Sequence, residues 1–251
     1  MTLTADLSRK RALITGGSSG LGAHFARVLA KAGAHVIVAA RREDRLDSVL
    51  EEIRAAGGAA EMLKLDVLDI ESVKSAIAHA GPFDILVNNA GVANMKPALE
   101  QTEADWDCLM GTNLKGTWLV ATEAARAMKI NEIRGCIINI ASILGLRQAY
   151  NVSPYAIAKA GLVQLTKQLA LELARYHIRV NALAPGYFRT DINEPLFRGK
   201  GGDALIQRIP QRRLGNLEDL DGPLLLLASE SSRFMTGVTI PVDGGHLLSN
   251  L

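Results

Sequence analysis

The sequence of 251 residues has few of the features that mark several large classes of protein. Its two cysteines, Cys108 and Cys136, are too few for a disulfide framework and favour a reducing compartment, so we expect a cytoplasmic protein. The 28 basic and 26 acidic residues leave a net charge of only +2, which argues against a nucleic-acid binder. No apolar run reaches the roughly 18 residues of a membrane span, and the N-terminus lacks the apolar core of a secretory signal.

The sequence does contain ample material for a folded core. Hydrophobic residues make up 48% of the chain and charged residues 22%, which is typical of a globular protein and excludes intrinsic disorder. The five histidines show no metal-ligand spacing, so we expect no metal site. No shift in composition marks a boundary, and we predict a single domain over residues 1–251.

Short β-rich runs alternate with helical patterns along the chain. Seven strands are predicted, at residues 12–15, 35–39, 61–65, 84–87, 136–140, 178–183 and 238–242. Helices are predicted at residues 20–32, 42–56, 70–80, 102–129, 154–176 and 219–227. This alternation predicts an α/β fold: a doubly wound (Rossmann) parallel sheet of about seven strands with helices on both faces.

Residues 186–217 interrupt this alternation. They contain several glycines and prolines together with a basic pair, Arg212 and Arg213. Long irregular segments inside compact domains are usually functional, so we interpret residues 187–217 as a substrate lid. The alternative is a solvent-exposed excursion of the chain without a function of its own.

A glycine-rich segment separates the first strand from the first helix. Its glycines allow a sharp turn and a close ligand approach, and the helix that follows offers free N–H groups to a pyrophosphate. The spacing is GxxxGxG, which differs from the general GxGxxG dinucleotide fingerprint, but its place between strand and helix predicts the same role. The predicted phosphate cradle consists of Gly16, Ser18, Ser19, Gly20, Leu21 and Gly22.

The end of the second strand indicates which nicotinamide cofactor binds. An acidic side chain there would hold the ribose 2′-hydroxyl of NAD. This chain instead has Ala39 and Ala40, followed by Arg41 and Arg42. Because a guanidinium is suited to a 2′-phosphate, we expect NADP(H). NAD(H) is the alternative, if both arginines are merely solvated.

Two side chains with acid–base chemistry begin a predicted helix. Tyr155 and Lys159 are four residues apart and so share one helical face. A nearby ammonium lowers the pKa of a tyrosine, which can then exchange a proton with an alkoxide. Ser142 follows the fifth strand, at the sheet edge where ligands bind, and its hydroxyl can polarise a carbonyl oxygen.

Amide side chains point to the same edge of the sheet. Asn113 lies within the predicted helix 102–129, where an amide is mildly unfavourable, so we expect it to have a hydrogen-bonding role. Asn89, with Ala90 and Gly91, follows the fourth strand. The sequence therefore places candidate polar groups after the fourth and fifth strands and on two of the predicted helices.

Together these motifs resemble the short-chain dehydrogenase/reductase family in its compact form, and especially its 3-oxoacyl-thioester reductases and carbonyl reductases. The resemblance extends from residue 10 to residue 245. The matching motifs are residues 15–22, Asp66 with Val67, residues 88–91, Asn113, Ser142, Tyr155 with Lys159, Pro185 with Gly186, and residues 236–237 and 242–245.

The resemblance implies four catalytic residues. Tyr155 would be the acid–base, and Lys159 would lower its pKa and bind the nicotinamide ribose. Ser142 would hold the substrate oxygen, and Asn113 would anchor a water relay. The reaction would transfer a hydride between NADP(H) and a small-molecule ketone or secondary alcohol.

The resemblance also implies cofactor contacts outside the cradle. Asp66 and Val67 would flank the adenine. The groove and the nicotinamide end would be lined by Asn89, Ala90, Gly91, Pro185, Gly186, Phe188 and Thr190. NADP-preferring relatives often carry a basic residue just before the middle glycine of the cradle, where this chain has Ser19. The NADP prediction therefore depends mainly on Arg41.

The resemblance further implies a mobile lid and a homotetramer. Two other functions stay open at this point: an NAD-preferring alcohol dehydrogenase and a non-catalytic dinucleotide-binding sensor. The substrate is open as well. Arg147, just after Ser142, is compatible either with an anionic substrate or with a solvent-facing side chain.

Overall fold

The computed structural model describes residues 5–189, 197 and 199–249. In this part of the chain, seven strands form one sheet in the order β3-β2-β1-β4-β5-β6-β7, and every neighbouring pair is parallel. The strands are β1 (Arg11–Thr15), β2 (His35–Ala40), β3 (Ala60–Lys64), β4 (Ile85–Asn88), β5 (Cys136–Ile140), β6 (Arg179–Pro185) and β7 (Thr239–Val242).

Helices follow the strands along the chain. They are α1 (Gly20–Lys31), α2 (Asp47–Ala55), α3 (Ile70–Ala80), α4 (Glu103–Met110), α5 (Thr117–Ile130), α6 (Ser153–Leu173), α7 (Gly199–Arg208) and α8 (Asp221–Ala228). The predicted doubly wound α/β fold is confirmed. No helix in the described ranges is both long and apolar enough to cross a membrane.

The central strands are apolar because helices cover both faces of the sheet. One core cluster joins the sheet to α1, α2 and α8, and its members include Phe25, Leu50 and Leu224. A second cluster joins it to α3, α5 and α6 and includes Phe83 and Val120. The strands are thereby held rigidly, so the loops that leave their carboxyl ends start from fixed positions.

The strand order reverses between β1 and β4. β1 pairs with β2 on one side and with β4 on the other. The connections that follow β1 and β4 therefore leave the sheet in opposite directions. Open α/β sheets bind ligands in the crevice at such a switch point, outside the carboxyl ends of the strands. The cradle follows β1 and residues 89–91 follow β4, so both border this crevice.

The predicted helix 102–129 is in fact three segments. α4 begins with a capping box in which Thr102 and Asp105 satisfy each other's backbone N–H groups. A π-helical turn, Gly111–Gly116, then separates α4 from α5. Such wide turns occur mostly at functional sites, and this one contains Asn113. The predicted helix 42–56 likewise begins with a separate 3₁₀ turn, Glu43–Arg45.

The predicted lid contains a helix that the sequence pattern did not indicate. α7 lies within residues 187–217 and carries glycines at positions 199, 201 and 202. Glycine is among the poorest helix formers, so its frequency here suggested an irregular segment. The ends of the lid approach each other, since Phe188 forms a parallel bridge with Gly215.

Gly22 lies where α1 passes closest to the end of β1. A Cβ atom at this position would be 2.3 Å from the Gly16 carbonyl oxygen and 2.5 Å from Nδ2 of Asn89. Both distances are far shorter than a real contact. The close approach of helix and cradle therefore requires glycine.

We expect Gly22→Ala to destabilise the protein by about 1–3 kcal/mol, because backbone atoms must move to admit the methyl group. Urea unfolding measures this change. Gly222→Ala is the matched control, since Gly222 lies in α8 with open space around it, where alanine is expected to be neutral or slightly stabilising. Equal unfolding midpoints for the two variants would contradict the packing argument.

Candidate active site

The buried side chain of Thr15 connects the cradle to the loop after β4. Its Oγ1 accepts hydrogen bonds from the backbone N–H groups of Asn89 and Ala90, both at 3.0 Å. In return, Nδ2 of Asn89 donates to the carbonyl oxygens of Thr15 and Gly16, both at 3.1 Å. The two loops that border the crevice are thus held together by four hydrogen bonds.

The start of α1 is open to an anion. Ser19 is the N-cap residue in an extended conformation, and its side chain makes no capping hydrogen bond. The first turn contains no acidic residue, so its N–H groups and the helix dipole are available to a phosphate. Gly16 and Gly20 have φ values of +65° and +52°, which favour glycine and produce the tight turn. These features fit the pyrophosphate of a dinucleotide.

Arg41 and Arg42 extend from the end of β2 into solvent. Ala40, at the end of the strand, is buried, while both guanidinium-bearing residues are exposed. Within the described residues, neither arginine forms an ion pair or hydrogen bond. Both positive charges are therefore available to a ligand that lies along this edge.

Asp66 and Val67 follow β3 at the same edge. The Oδ1 atom of Asp66 accepts a hydrogen bond from the Leu68 N–H at 3.0 Å, which fixes the carboxylate close to its own backbone. Val67 is buried against Gly116, where a Cβ would lie 2.9 Å from its Cγ2. Both residues are thus fixed in positions compatible with the predicted adenine contacts.

Asn113 is completely buried, and both the oxygen and the nitrogen of its amide bond to one neighbour. Its Oδ1 accepts from the Val92 N–H at 2.9 Å, and its Nδ2 donates to the Val92 carbonyl at 2.8 Å. A Cβ at Gly91 would lie 2.7 Å from Oδ1 of Asn113 and 3.8 Å from Nζ of Lys159. The π-helical turn, the loop after β4 and α6 therefore meet at Gly91.

Lys159 brings a buried amine to the end of β5. Its Nζ donates to the Ile140 carbonyl at 2.8 Å and lies 5.7 Å from the centroid of the Tyr155 ring. The residue is only 5% exposed, and burial lowers its pKa to about 8. Lys159 therefore changes protonation far closer to neutral pH than an ordinary lysine.

The pKa of Tyr155 is raised, chiefly because burial disfavours the phenolate. A hydrogen bond with Ser142 acts in the lowering direction, and the neighbouring Tyr187 adds to the rise. The sequence led us to expect that Lys159 lowers this pKa, but the Lys159 amine binds the Ile140 carbonyl, and burial is the largest influence on the phenol. Tyr155 is thus a protonated phenol at neutral pH.

Ser142 is the third group of this set. It is 8% exposed, and its Oγ accepts a hydrogen bond from the Leu144 N–H at 3.1 Å. That bond fixes the direction of the hydroxyl without using its proton. Ser142 and Tyr155 therefore present two O–H groups, fixed by β5 and α6, to the same crevice.

The segment after β6 packs against β7 and against the end of the lid. Gly186 is close to β7, where its N–H donates to the Val242 carbonyl at 2.8 Å. The side chain of Phe188 is buried, and a Cβ at Gly215 would lie 2.4 Å from its ring, so it packs into the protein. Pro185 is the last residue of β6, and Thr190 lies outside the described residues.

Arg147 follows neither of the two alternatives open from the sequence. Its Nη1 donates to the carbonyl oxygen of His246 and to Oγ of Ser249, the latter at 3.3 Å. The guanidinium thereby joins the loop after Ser142 to the C-terminal segment. Arg147 is thus committed to the protein rather than to solvent or to a free anion.

Several polar residues near the site were not singled out as functional from the sequence. Asn88 and Asn139 are paired across β4 and β5, and Nδ2 of Asn88 donates to Oδ1 of Asn139 at 3.3 Å. Nδ2 of Asn139 donates in turn to Oγ1 of Thr166 at 2.9 Å. An asparagine inside each of two apolar strands was the available signal. His246 lies far along the chain from the other site residues and left no such signal.

A phosphate cradle at the switch point of a parallel sheet, beside a Tyr–Lys–Ser–Asn group, defines a dinucleotide-dependent oxidoreductase. Residues 10–201 match the family model described as short chain dehydrogenase, and the chain belongs to this family. It is therefore an enzyme of the short-chain dehydrogenase/reductase type, acting on CH–OH groups.

Relatives of known function match over almost the whole chain. Gluconate 5-dehydrogenase of Gluconobacter oxydans is 38% identical over 97% of each protein. The 3-oxoacyl-[acyl-carrier-protein] reductase of Thermotoga maritima is 36% identical over 96% of this chain and 99% of its own. The crystal structure of a Burkholderia cenocepacia gluconate 5-dehydrogenase with NADP and tartrate superposes with a TM-score of 0.93, at 38% identity and 97% coverage of each chain.

We expect Ser142→Ala to move the pKa of Tyr155 further upward, because the variant removes the hydrogen bond that favours the phenolate. Tyrosinate absorbance during an alkaline titration measures this, with the Tyr155→Phe protein subtracted to isolate one phenol. Ser142→Thr keeps a hydroxyl and is the control. A downward shift in Ser142→Ala would show that Ser142 favours the neutral phenol instead.

Proposed function

We propose that this protein catalyses the NADP(H)-dependent interconversion of a carbonyl compound and a secondary alcohol, with Tyr155 as acid–base. The observation that carries this proposal is the convergence of Tyr155, Ser142 and Lys159 beside the cradle. A non-catalytic sensor would need the cradle, but it would not need a buried amine and two oriented hydroxyls. The activities named for the relatives support the same reaction type.

The chain has a group for each charged part of NADP(H). The N–H groups at the start of α1 would hold the pyrophosphate, and Arg41, with Arg42 beside it, would bind the 2′-phosphate. Solved relatives described with bound NADP support this choice over NAD. When bound, the cofactor supplies or accepts the hydride at its nicotinamide carbon.

Side chains of the protein carry out the proton transfer and stabilise the charged oxygen. In reduction, Tyr155 donates its phenolic proton to the oxygen that gains negative charge, and Ser142 donates a hydrogen bond to the same oxygen. A raised pKa suits the donor, since the phenol stays protonated at neutral pH. In the oxidation of an alcohol, the phenolate accepts the proton, so this direction should be favoured at higher pH.

Lys159 and Asn113 support these two hydroxyls. While it binds the Ile140 carbonyl, the Lys159 amine would also bind a ribose hydroxyl of the cofactor. Asn113 holds the Val92 backbone and thereby positions the loop after β4. We infer that both residues maintain the geometry of the crevice and connect it to a route for proton transfer.

We also propose that the 251 residues act as one cytoplasmic catalytic domain, with residues 187–217 as its lid, in a homotetramer. The single sheet supports one domain. The bridge between Phe188 and Gly215, which brings the two ends of residues 187–217 together, supports a lid. Both cysteines are free, which suits a reducing compartment. Exposed apolar side chains on the helices around the site support assembly: Trp106, Trp118, Ile157 and Leu171.

Tyr155→Phe tests the catalytic proposal. We expect turnover of a ketone panel with NADPH to fall by about 10²–10⁴-fold, because the proton donor is lost. NADPH binding, followed by nicotinamide fluorescence, should be retained and shows that the variant is folded. Unchanged turnover would exclude Tyr155 as the acid–base.

Arg41→Ala tests the choice of cofactor. We expect NADPH binding to weaken by about 1.5–3 kcal/mol, which is typical for loss of a charged hydrogen-bond partner, while NADH binding changes little. Arg45→Ala, on the neighbouring 3₁₀ turn, is the exposed control and should affect neither cofactor. Equal losses for NADPH and NADH would contradict a contact with the 2′-phosphate, and tighter NADH binding by the unaltered protein would favour an NAD enzyme.

A further inference from the structure

The turn that follows Ser142 is bonded back to that residue. Ser142 is the N-cap of a single 3₁₀ turn, Ile143–Gly145. Its Oγ accepts a hydrogen bond from the Leu144 N–H at 3.1 Å, and its carbonyl oxygen accepts one from the Gly145 N–H at 3.0 Å. Because Leu144 and Gly145 both bond to Ser142, a displacement of the turn is transmitted to the Ser142 hydroxyl.

Gly145 rests directly on the backbone of α6. A Cβ at this position would be 2.7 Å from both the carbonyl carbon and the carbonyl oxygen of Lys159, and 3.0 Å from the Ala160 nitrogen. Carbon atoms in ordinary contact are about 3.5–4.0 Å apart, so no side chain fits between the turn and the helix. The φ angle of Gly145 is not positive, so lack of space, and not backbone conformation, requires glycine here.

The side chain of Lys159 also holds the end of β5. Its Nζ donates to the carbonyl oxygen of Ile140, two residues before Ser142, at 2.8 Å. The segment 140–145 thus meets Lys159 twice, through the amine at Ile140 and through the backbone at Gly145. Ser142 lies between these two contacts, and Tyr155 lies one helical turn before Lys159 on α6. The two contacts therefore fix the position of the Ser142 hydroxyl relative to the phenol.

α6 is the more rigid side of this contact. Its residues Ala158 and Leu162 are 0% and 1% exposed, and Leu162 packs in a core cluster with Ala141 at the end of β5. The turn is less enclosed, since Leu144 and Gly145 are only half-buried. A methyl group added at position 145 would therefore push the turn away from α6, by roughly 0.8 Å to restore an ordinary contact.

We propose that Gly145 is a positioning residue for the reaction: the direct contact of its backbone with α6 sets the distance between the Ser142 and Tyr155 hydroxyls. This inference rests on the proposed function, in which both hydroxyls donate to the same substrate oxygen. Groups that act on one atom must be placed accurately, and a misplacement of about 1 Å can cost about 10²-fold in rate. Gly145 acts through Ser142 rather than by contact with the substrate.

Gly145→Ala tests this role without a substrate. We expect the variant to raise the pKa of Tyr155, because a longer hydrogen bond from Ser142 favours the phenolate less. Tyrosinate absorbance measures the change, with the matching Tyr155→Phe protein subtracted. In the Ser142→Ala background the same substitution should cause no further rise, since the bond is already absent. An unchanged pKa in Gly145→Ala, or an equal rise in both backgrounds, would overturn the proposal.

Gly161→Ala is the matched control on the same helix. Gly161 lies two residues after Lys159, and a Cβ there would be 2.8 Å from Cδ2 of Leu114, the end of a flexible side chain that can turn aside. This variant should leave the pKa of Tyr155 unchanged. An equal rise in the two alanine variants would show a general loosening of α6 and would contradict a specific role of Gly145. Thermal unfolding and NADPH fluorescence should show both variants to be folded.

Turnover separates this role from the proposed function. With NADPH and a ketone that the unaltered protein reduces, kcat of Gly145→Ala should fall by about 10- to 100-fold, while KM for NADPH changes little. Unchanged kcat, or a loss expressed only in KM for NADPH, would count against the positioning role. If the unaltered protein turns over no ketone or alcohol, the proposed function fails, and the comparison of Tyr155 pKa values in the two backgrounds still decides whether Gly145 positions Ser142.

Discussion

The hydrogen bonds of Thr15 are the interaction on which the rest of the site depends. One buried hydroxyl accepts two N–H groups from the loop after β4, and Asn89 returns two bonds to the cradle. The crevice at a switch point arises because the loops after β1 and β4 leave the paired strands in opposite directions, so beyond the strand ends the sheet no longer connects them. Thr15 and Asn89 supply that connection. The glycine at position 22 lets α1 approach closely enough to complete it.

Burial, rather than attraction between charges, is the main influence on the pKa values of Tyr155 and Lys159. The same lack of solvent that lowers the pKa of Lys159 raises that of Tyr155, so both groups are biased toward their neutral forms. A neutral phenol is the form that donates a proton. The hydrogen bond from Ser142 lowers the pKa of Tyr155 and so makes the phenolate easier to form. The balance between these two effects decides how readily the enzyme works in each direction.

The sequence was sufficient to predict where the strands lie along the chain and that they form a parallel sheet, since apolar runs alternate with helical patterns. It also identified the motifs that the structure brings to one edge of the sheet. It failed at the π-helical turn around Asn113 and at α7, because a widened turn and a glycine-rich helix both depend on tertiary contacts rather than on local propensity. The direction of the Tyr155 pKa was wrong for the same reason, since desolvation is invisible in a spacing of four residues.

The paired asparagines of β4 and β5 have a consequence for folding. These strands are far apart in the chain, and their apolar residues would pack almost as well one position out of register. Asn88 lies opposite Asn139 in the native pairing, and their amides satisfy each other and Thr166. A slip of one residue would bury two amides without partners and turn every side chain of the strand to the other face. The pair thus selects the correct alignment of the two strands whose ends carry Asn89 and Ser142 at the crevice.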